Sequence, residues 1–463
     1  MRTLRSRESG FTLIELLVAL VVVSLVLGGA MAMFNYTNKL ARAQLHQADL
    51  QQSARAGQRD ILGTVRMAGR GGLPGHHVAG LTAASGPASI TPALSVRNNV
   101  TTADQRLVSG NATSPLVVEG SDVLTVRGHF TSPLLFLDTK ATGKFVVTGD
   151  GGLITLSSRS PGGIPQDMSA IVDAVDDERS DAIVLVSGLS GLIYGVAELD
   201  WAGSDVSSFD PDPFAIFEVT IAYKNRSGTY TDEYGLLSAD GVFPDTNVNH
   251  PAWLPARDLT NLGAMALLEE YRYYVRDPED GNEPRLSVGR FFPGTEVPHP
   301  SGGWETDLAD SILDLQVALG FDSSHNGGAA SNGFFDFDDN NTGNDDFIVD
   351  GDVTATAGTD LDDWLFNDDE DTTNLGSLPW TPTAASGSTP PAYSVSQPKP
   401  RLYYARLTTL TMAGKPDRGY QAPYLDSIED HDYTGAADDP ANGTVGRLRR
   451  RLILTTVVDL RNL

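Results

Sequence analysis

The densest set of chemically capable side chains lies between residues 322 and 371, which read DSSHNGGAASNGFFDFDDNNTGNDDFIVDGDVTATAGTDLDDWLFNDDED. Within it, Asp322, Ser324 and Asn326, followed by Gly327, have the alternate-residue spacing and glycine turn of a calcium loop. Asp336, Asp338 and Asn340 repeat that spacing, with Asn341 where the glycine belongs. Alternate oxygen ligands can converge on one hard cation, and calcium takes roughly six to eight of them. The bidentate acid expected at the twelfth position is absent, since Gly333 and Phe347 stand there. Neither stretch is therefore an EF-hand, although Asp345, Asp346, Asp350 or Asp352 offers a closing carboxylate. Calcium competes here with a plain solvated acidic loop, in which like charges repel.

Other chemistries find little support. Absence of cysteine removes disulfides, thiol catalysis and cysteine-held metals. No nucleophile elbow, phosphate-binding glycine loop or zinc-protease helix emerges, so no enzyme is expected. His76 and His77 sit together in a Gly/Pro-rich loop that suits surface residues better than a metal site. A formal net charge of −27 opposes binding to nucleic acid or anionic headgroups. One basic cluster, Gly446-Arg447-Leu448-Arg449-Arg450-Arg451, offers pairing with the acidic region, contact with headgroups or DNA, or an edge that blocks strand pairing.

A single carboxylate is placed where lipid should be. Arg2, Arg5 and Arg7 precede a long apolar run, and Leu16 to Phe34 carries no charge over 19 residues. That length suits a membrane-spanning helix, and the arginines place its N-terminus in the cytoplasm. Glu15 lies at the start of the run, where a charge costs a few kcal/mol on insertion scales. An ordinary anchor leaves Glu15 unexplained. A secretory signal cut near Ala30-Met31-Ala32 leaves it equally unexplained. A leader cut before the apolar segment is the third reading.

Gly10-Phe11-Thr12-Leu13-Ile14-Glu15, followed by Leu16-Leu17-Val18-Ala19-Leu20, resembles the N-terminus of type IV pilins and type II secretion pseudopilins. The resemblance implies cleavage after Gly10 by a prepilin peptidase and methylation of the new Phe11 amine. Glu15 then becomes the assembly glutamate, and a neighbouring subunit's Phe11 amine would supply its counter-charge. A buried pair of that kind fixes register. Major pilins often carry a helix-kinking proline after the apolar segment. Gly28-Gly29 stands there instead, which fits a minor pilin. Asp314-Leu315-Gln316-Val317, Gly320-Phe321-Asp322, Glu429-Asp430-His431 and the ending Arg461-Asn462-Leu463 are similar to PilW-type minor pilins. Residues 76–300 match little. The implied partners are other minor and major pilins, the prepilin peptidase and the inner-membrane assembly platform. The implied location is a single inner-membrane pass with an exported C-terminal domain that reaches the cell surface in a pilus. The chain's length favours a pilus over a secretion pseudopilus, and a calcium-dependent tip adhesin is the rival role.

The elements that must position these groups follow from patterning. Proline-free sequence predicts one helix from about Phe11 to Ala68, roughly 85–90 Å long, ended by the glycines after residue 68. Strands are expected at 121–127, 144–147, 181–186, 192–198, 214–223, 270–275, 401–411 and 450–460, with 311–319 either strand or short helix. The organisation is a leader (1–10), an apolar helix (11–34), its continuation and a loop (35–75), and a β-rich domain (76–463) of one or two parts. The fold class is α+β: a long N-terminal helix on a large antiparallel sheet domain with long loops.

Overall fold

The computed structural model describes residues 12–70 and most of 93–460; the longest stretches outside the description are 71–92, 225–261, 323–362 and 367–400. A single helix, α1 (Leu13–Val65), runs unbroken through Gly28 and Gly29. It starts two residues later and ends three earlier than patterning suggests, because Arg66–Arg70 leave it as turns and Gly69 adopts φ +69°. The chain divides into two compact units, residues 1–52 and 53–463.

The second unit is built from strands. In chain order these are β1 (Leu94–Arg97), β2 (Leu116–Val117), β3 (Val123–Gly128), β4 (Leu135–Phe136), β5 (Phe145–Thr148) and β6 (Gly151–Ser157). The short helix α2 (Ser169–Asp176) precedes β7 (Ile183–Gly188), β8 (Tyr194–Asp205), β9 (Glu218–Lys224), β10 (Leu262–Leu267), β11 (Glu269–Asp277) and β12 (Arg285–Phe291). There follow β13 (Thr306–Asp310), β14 (Ile312–Asp322), β15 (Asp363–Phe366), β16 (Arg401–Met412), β17 (Ser427–Ile428), β18 (His431–Asp432) and β19 (Arg451–Asp459).

They form three main sheets. The first has the order β1-β3-β11-β12-β13, with β2 beside β11. The second runs β4-β10-β7-β8-β9-β6-β5, the third β15-β14-β16-β19, and β17-β18 is a separate hairpin. Every pairing among the described strands is antiparallel. Only Leu268 separates β10 from β11, so the chain steps from the second sheet to the first over one residue. The α+β expectation holds. Of the expected 311–319 element, Ile312–Leu319 resolves as strand within β14, which pairs with β16 over most of its length, while Ser311 is the bend before it at φ +60°. The strand expected over 214–223 begins only at Glu218.

Alternation across strands distributes the core. In β7, Ile183 and Leu185 join a cluster with Ile61, Val65, Leu124, Tyr273, Leu315 and Leu407. The intervening Val184 and Val186 join a second cluster with Ile171, Val172 and Val175 of α2. A strand buried on both faces reads as a continuous apolar run, and β7 does so. Burying each such side chain fully stabilises the fold by about 1.5–3 kcal/mol.

The end of α1 within the second unit is fastened by polar contacts as well. Gln58 is buried; its Nε2 donates to Leu454 O at 2.6 Å and Thr409 Oγ1 at 3.1 Å, and its Oε1 accepts from Thr456 at 2.7 Å. The Tyr273 hydroxyl donates to Asp60 at 3.0 Å. At Gly57 an added Cβ would lie 2.5 Å from Leu286 Cδ2, so the helix approaches the first sheet where no side chain intervenes.

Candidate functional site

Residues at the start of α1 form a reciprocal cap. Thr12 N donates to Glu15 Oε2 at 3.0 Å, Thr12 Oγ1 donates to the same oxygen at 2.9 Å, and Glu15 N donates to Thr12 Oγ1 at 3.3 Å. This is the Thr-x-x-Glu capping box, which satisfies two helix donors that otherwise lack partners. Glu15 thus has a local role in the isolated chain, and its acidic charge also complements the positive end of the helix dipole. Gly10 and Phe11, the expected processing residues, lie outside the described residues.

Beyond the cap the helix is apolar and bare. Leu13, Ile14, Leu16, Leu17, Val18 and Leu20 are all exposed, as are Leu25, Met33 and Phe34. The helix is long and apolar enough to cross a membrane. A surface of this kind calls for lipid or for apolar neighbours.

In the second unit, two short motifs far apart in sequence meet. Asp314 of β14 is almost fully buried and accepts from Gln316 Nε2 at 3.0 Å and from the Tyr433 hydroxyl. His431 Nδ1 lies 2.8 Å from its Oδ2. The rings of His431 and Tyr433 stack 4.2 Å apart. Glu429, at φ +51°, accepts from Arg406 Nε at 3.1 Å and from Thr408 at 2.7 Å. These contacts fasten the β17-β18 hairpin to the third sheet.

The loop before β3 joins the first sheet to the third in a similar way. Buried Asp122 accepts from Asn99 N and Val317 N, both at 2.9 Å, while Asp122 N donates to Leu315 O at 2.9 Å. Inside the first sheet, Glu270 sits wholly buried between Arg127 and Arg272, each 2.7 Å away. Removing one partner from such a group leaves a charge uncompensated, which makes these pairs structural.

Between the first two sheets lies a cavity of about 210 Å³. Ala170 and Asp173 of α2, Arg179, Glu269, Arg290, Phe292 and His299 contribute to its wall. Glu269 accepts from Phe130 N at 2.7 Å, Thr131 N at 2.6 Å and Arg290 at 2.5 Å. Arg179 Nη1 lies 3.5 Å from His299 Nε2. Burial, then the nearby guanidiniums of Arg290 and Arg179, push the His299 pKa down to about 4. Burial and the Arg70 charge lower that of His129 nearby. Patterning alone does not reveal this cavity, because its wall comes from segments spread over more than a hundred residues.

Asp322 ends β14, and Ser324, Asn326, Asp336, Asp338 and Asn340 lie outside the described residues, as do His76 and His77. Among the described residues, no group of three or more acidic or histidine side chains is arranged to hold a metal. From the basic cluster, Arg450 Nη2 pairs with Asp417 at 2.9 Å and stacks over Tyr420, while Arg447 donates to Ala422 O at 3.3 Å. The contacts described for the cluster therefore brace the loop ahead of β19. Glu429 and His431 occupy the network above, whereas Asp430 and Arg461–Leu463 lie outside the description.

Residues 5–31 match the family model described as "Prokaryotic N-terminal methylation motif". The match covers the second half of the basic leader with Arg5 and Arg7, Gly10, Phe11, the capping box and most of the bare apolar segment. No curated protein matches the chain. Among solved structures the chain is similar to the type IV-like pilin TTHA1219 from Thermus thermophilus, at 12% identity over 64% of this chain and 95% of that one, with a TM-score of 0.17.

Proposed function

We propose that this chain is a minor pilin that initiates or caps a type IV pilus after a prepilin peptidase cuts behind Gly10. The methylation motif over residues 5–31 carries this reading. The bare apolar helix supports it, because assembly into a helical bundle would cover that surface without lipid. Methylated Phe11 would then present a cation to Glu15 of a neighbouring subunit, and the pair would select one axial register. The partners are other minor and major pilins and the inner-membrane assembly platform, and the large β-rich domain suits a filament end better than a shaft. A secretion pseudopilin would use the same N-terminal chemistry. Calcium held by the 322–371 stretch, in a tip adhesin, is a proposal from sequence alone.

Sequencing the N-terminus of the mature protein tests processing. Methyl-Phe11 is the expected first residue. A start at Met33, after a signal-peptide cut, or an uncut Met1 would overturn the reading. Recovery in sheared pili, and not with a secretion apparatus, separates the pilin from the pseudopilin.

A further inference from the structure

We propose that the cavity between the first two sheets binds a small organic carboxylate, gripped by the guanidinium of Arg179. The inference concerns the β-rich domain alone and does not depend on the pilus reading.

The cavity volume of about 210 Å³ equals that of about seven waters in the liquid, enough for a keto acid or a sugar acid. Its wall joins Phe291 and Phe292 to a polar set that includes Thr131, Ser132, Arg179 and Arg290, a lining suited to a small polar molecule. The charged groups among the described lining residues are Arg179, Arg290, Asp173 and Glu269. Glu269 is engaged by two backbone amides, Thr131 Oγ1 at 2.6 Å and Arg290. That carboxylate is the fixed counter-charge of Arg290. It does not reach Arg179, whose carboxylate partner is Asp177, 3.0 Å away on a largely exposed side chain. An exposed pair of this kind contributes little and exchanges readily. A carboxylate inside the cavity would offer Arg179 a two-pronged, partly desolvated partner instead.

His299 reports the field at this spot. Its imidazole is buried and held neutral, with both guanidiniums outweighing Glu269 as influences on it. Positive charge therefore dominates at the His299 ring itself, while the lining as a whole balances Arg179 and Arg290 against Asp173 and Glu269. An anion in the cavity beside Arg179 and His299, which themselves lie 3.5 Å apart, would relieve that field. Binding should then be accompanied by proton uptake by His299 in mildly acid solution.

Calorimetry on the full chain in detergent micelles tests the site, with pyruvate and D-glucuronate as probes and D-glucose and inorganic phosphate as comparisons. A carboxylate probe is expected to bind, with proton uptake at pH 5 seen as a dependence of the heat on buffer ionisation. Arg179→Gln is expected to weaken it at least about tenfold. Asp177→Asn removes the competing carboxylate from a solvent-facing position and is expected to strengthen it. Absence of heat from both carboxylates at millimolar concentration would overturn the proposal. So would unchanged affinity in both variants, or phosphate binding in their place.

Discussion

His431 Nδ1 lies 2.8 Å from Asp314 Oδ2, although 117 residues separate the two in the chain. The same carboxylate receives the Tyr433 hydroxyl, and Gln316 Nε2 lies 3.0 Å from its other oxygen. With Asp314 almost fully buried, each donor satisfies a lone pair that water cannot reach. The network ties the β17-β18 hairpin to the third sheet and so orders the chain ahead of β19.

Asp314→Ala should therefore destabilise the protein by about 3 kcal/mol, since buried Gln316 and Tyr433 and part-buried His431 lose their shared carboxylate. Tyr433→Phe removes one donor and should cost about 1 kcal/mol. Denaturant unfolding of the full chain in micelles measures both. Equal losses would mean that the carboxylate matters no more than one hydroxyl.

Gly120 stands over the same imidazole at φ +81°, and an added Cβ would come 2.2 Å from His431 Nε2. The position therefore demands glycine for two reasons, a left-handed backbone and a ring already in contact. Gly120→Ala should cost about 3 kcal/mol. Combining it with His431→Ala, which removes the clashing ring but not the strain, should recover part of that loss. Strict additivity of the two changes would exclude the contact.

His299 sets the response to acid. Its pKa is about 4 in the folded protein, below the ordinary histidine value near 6.5 in the unfolded chain. The unfolded state therefore binds more protons between these values. Stability contributed by the neutral ring is complete above pH 6.5 and is lost as pH falls towards 4. His129, also lowered, acts in the same direction. Melting temperature should fall between pH 7 and pH 4, and His299→Gln should flatten that slope. An identical slope in the variant would assign the acid response to other groups.

Much of the fold was legible because its cause is local. The unbroken α1 follows from a proline-free sequence, and β7, β11, β16 and β19 follow from β-branched and aromatic runs. Two of the missed elements lack that signal, whereas β6 and β12 carry it only in short runs beside glycine. β10 (LGAMAL) has no β-branched residue, and its partners β4 and β7 impose the strand. α2 is only eight residues long and owes its stability to Ile171, Val172 and Val175 packing on the second sheet. Asp314 and His431 belong to separate motifs in the sequence, and only the topology brings them together. The capping box was present in the sequence as Thr12-Leu13-Ile14-Glu15. The apolar surroundings of Glu15 point to a contact between subunits as strongly as Thr12 points to a role within its own helix.

For the acidic stretch, the sequence makes a thermodynamic statement that calorimetry can check. If alternate oxygens from Asp322, Ser324 and Asn326, or from Asp336, Asp338 and Asn340, hold calcium, the ion binds only the ordered loop and stabilises it by mass action. Melting temperature should rise at millimolar calcium and fall back with chelator. No change would favour a solvated acidic loop.

The two roles of Glu15 can be separated, because only one of them uses Thr12. Inside α1 the carboxylate accepts from Thr12 N and Thr12 Oγ1, a cap worth about 1 kcal/mol. In the proposed filament it would instead meet the methylated Phe11 amine of a neighbour, and the charge itself is what counts. Thr12→Ala weakens the cap and leaves the carboxylate, so pilus number should stay within about fivefold of the parent, the most that a loss of about 1 kcal/mol can give. Glu15→Gln keeps a hydrogen-bonding side chain of the same shape but loses the charge. It should remain membrane-inserted and processed yet fail to support pilus initiation, as should Glu15→Ala. Electron microscopy of piliation, with membrane fractionation alongside, distinguishes the outcomes. If Thr12→Ala were as defective as Glu15→Gln, the cap and not the charge would govern assembly. If Glu15→Gln piliated normally, the proposed intersubunit pair would have no part in it.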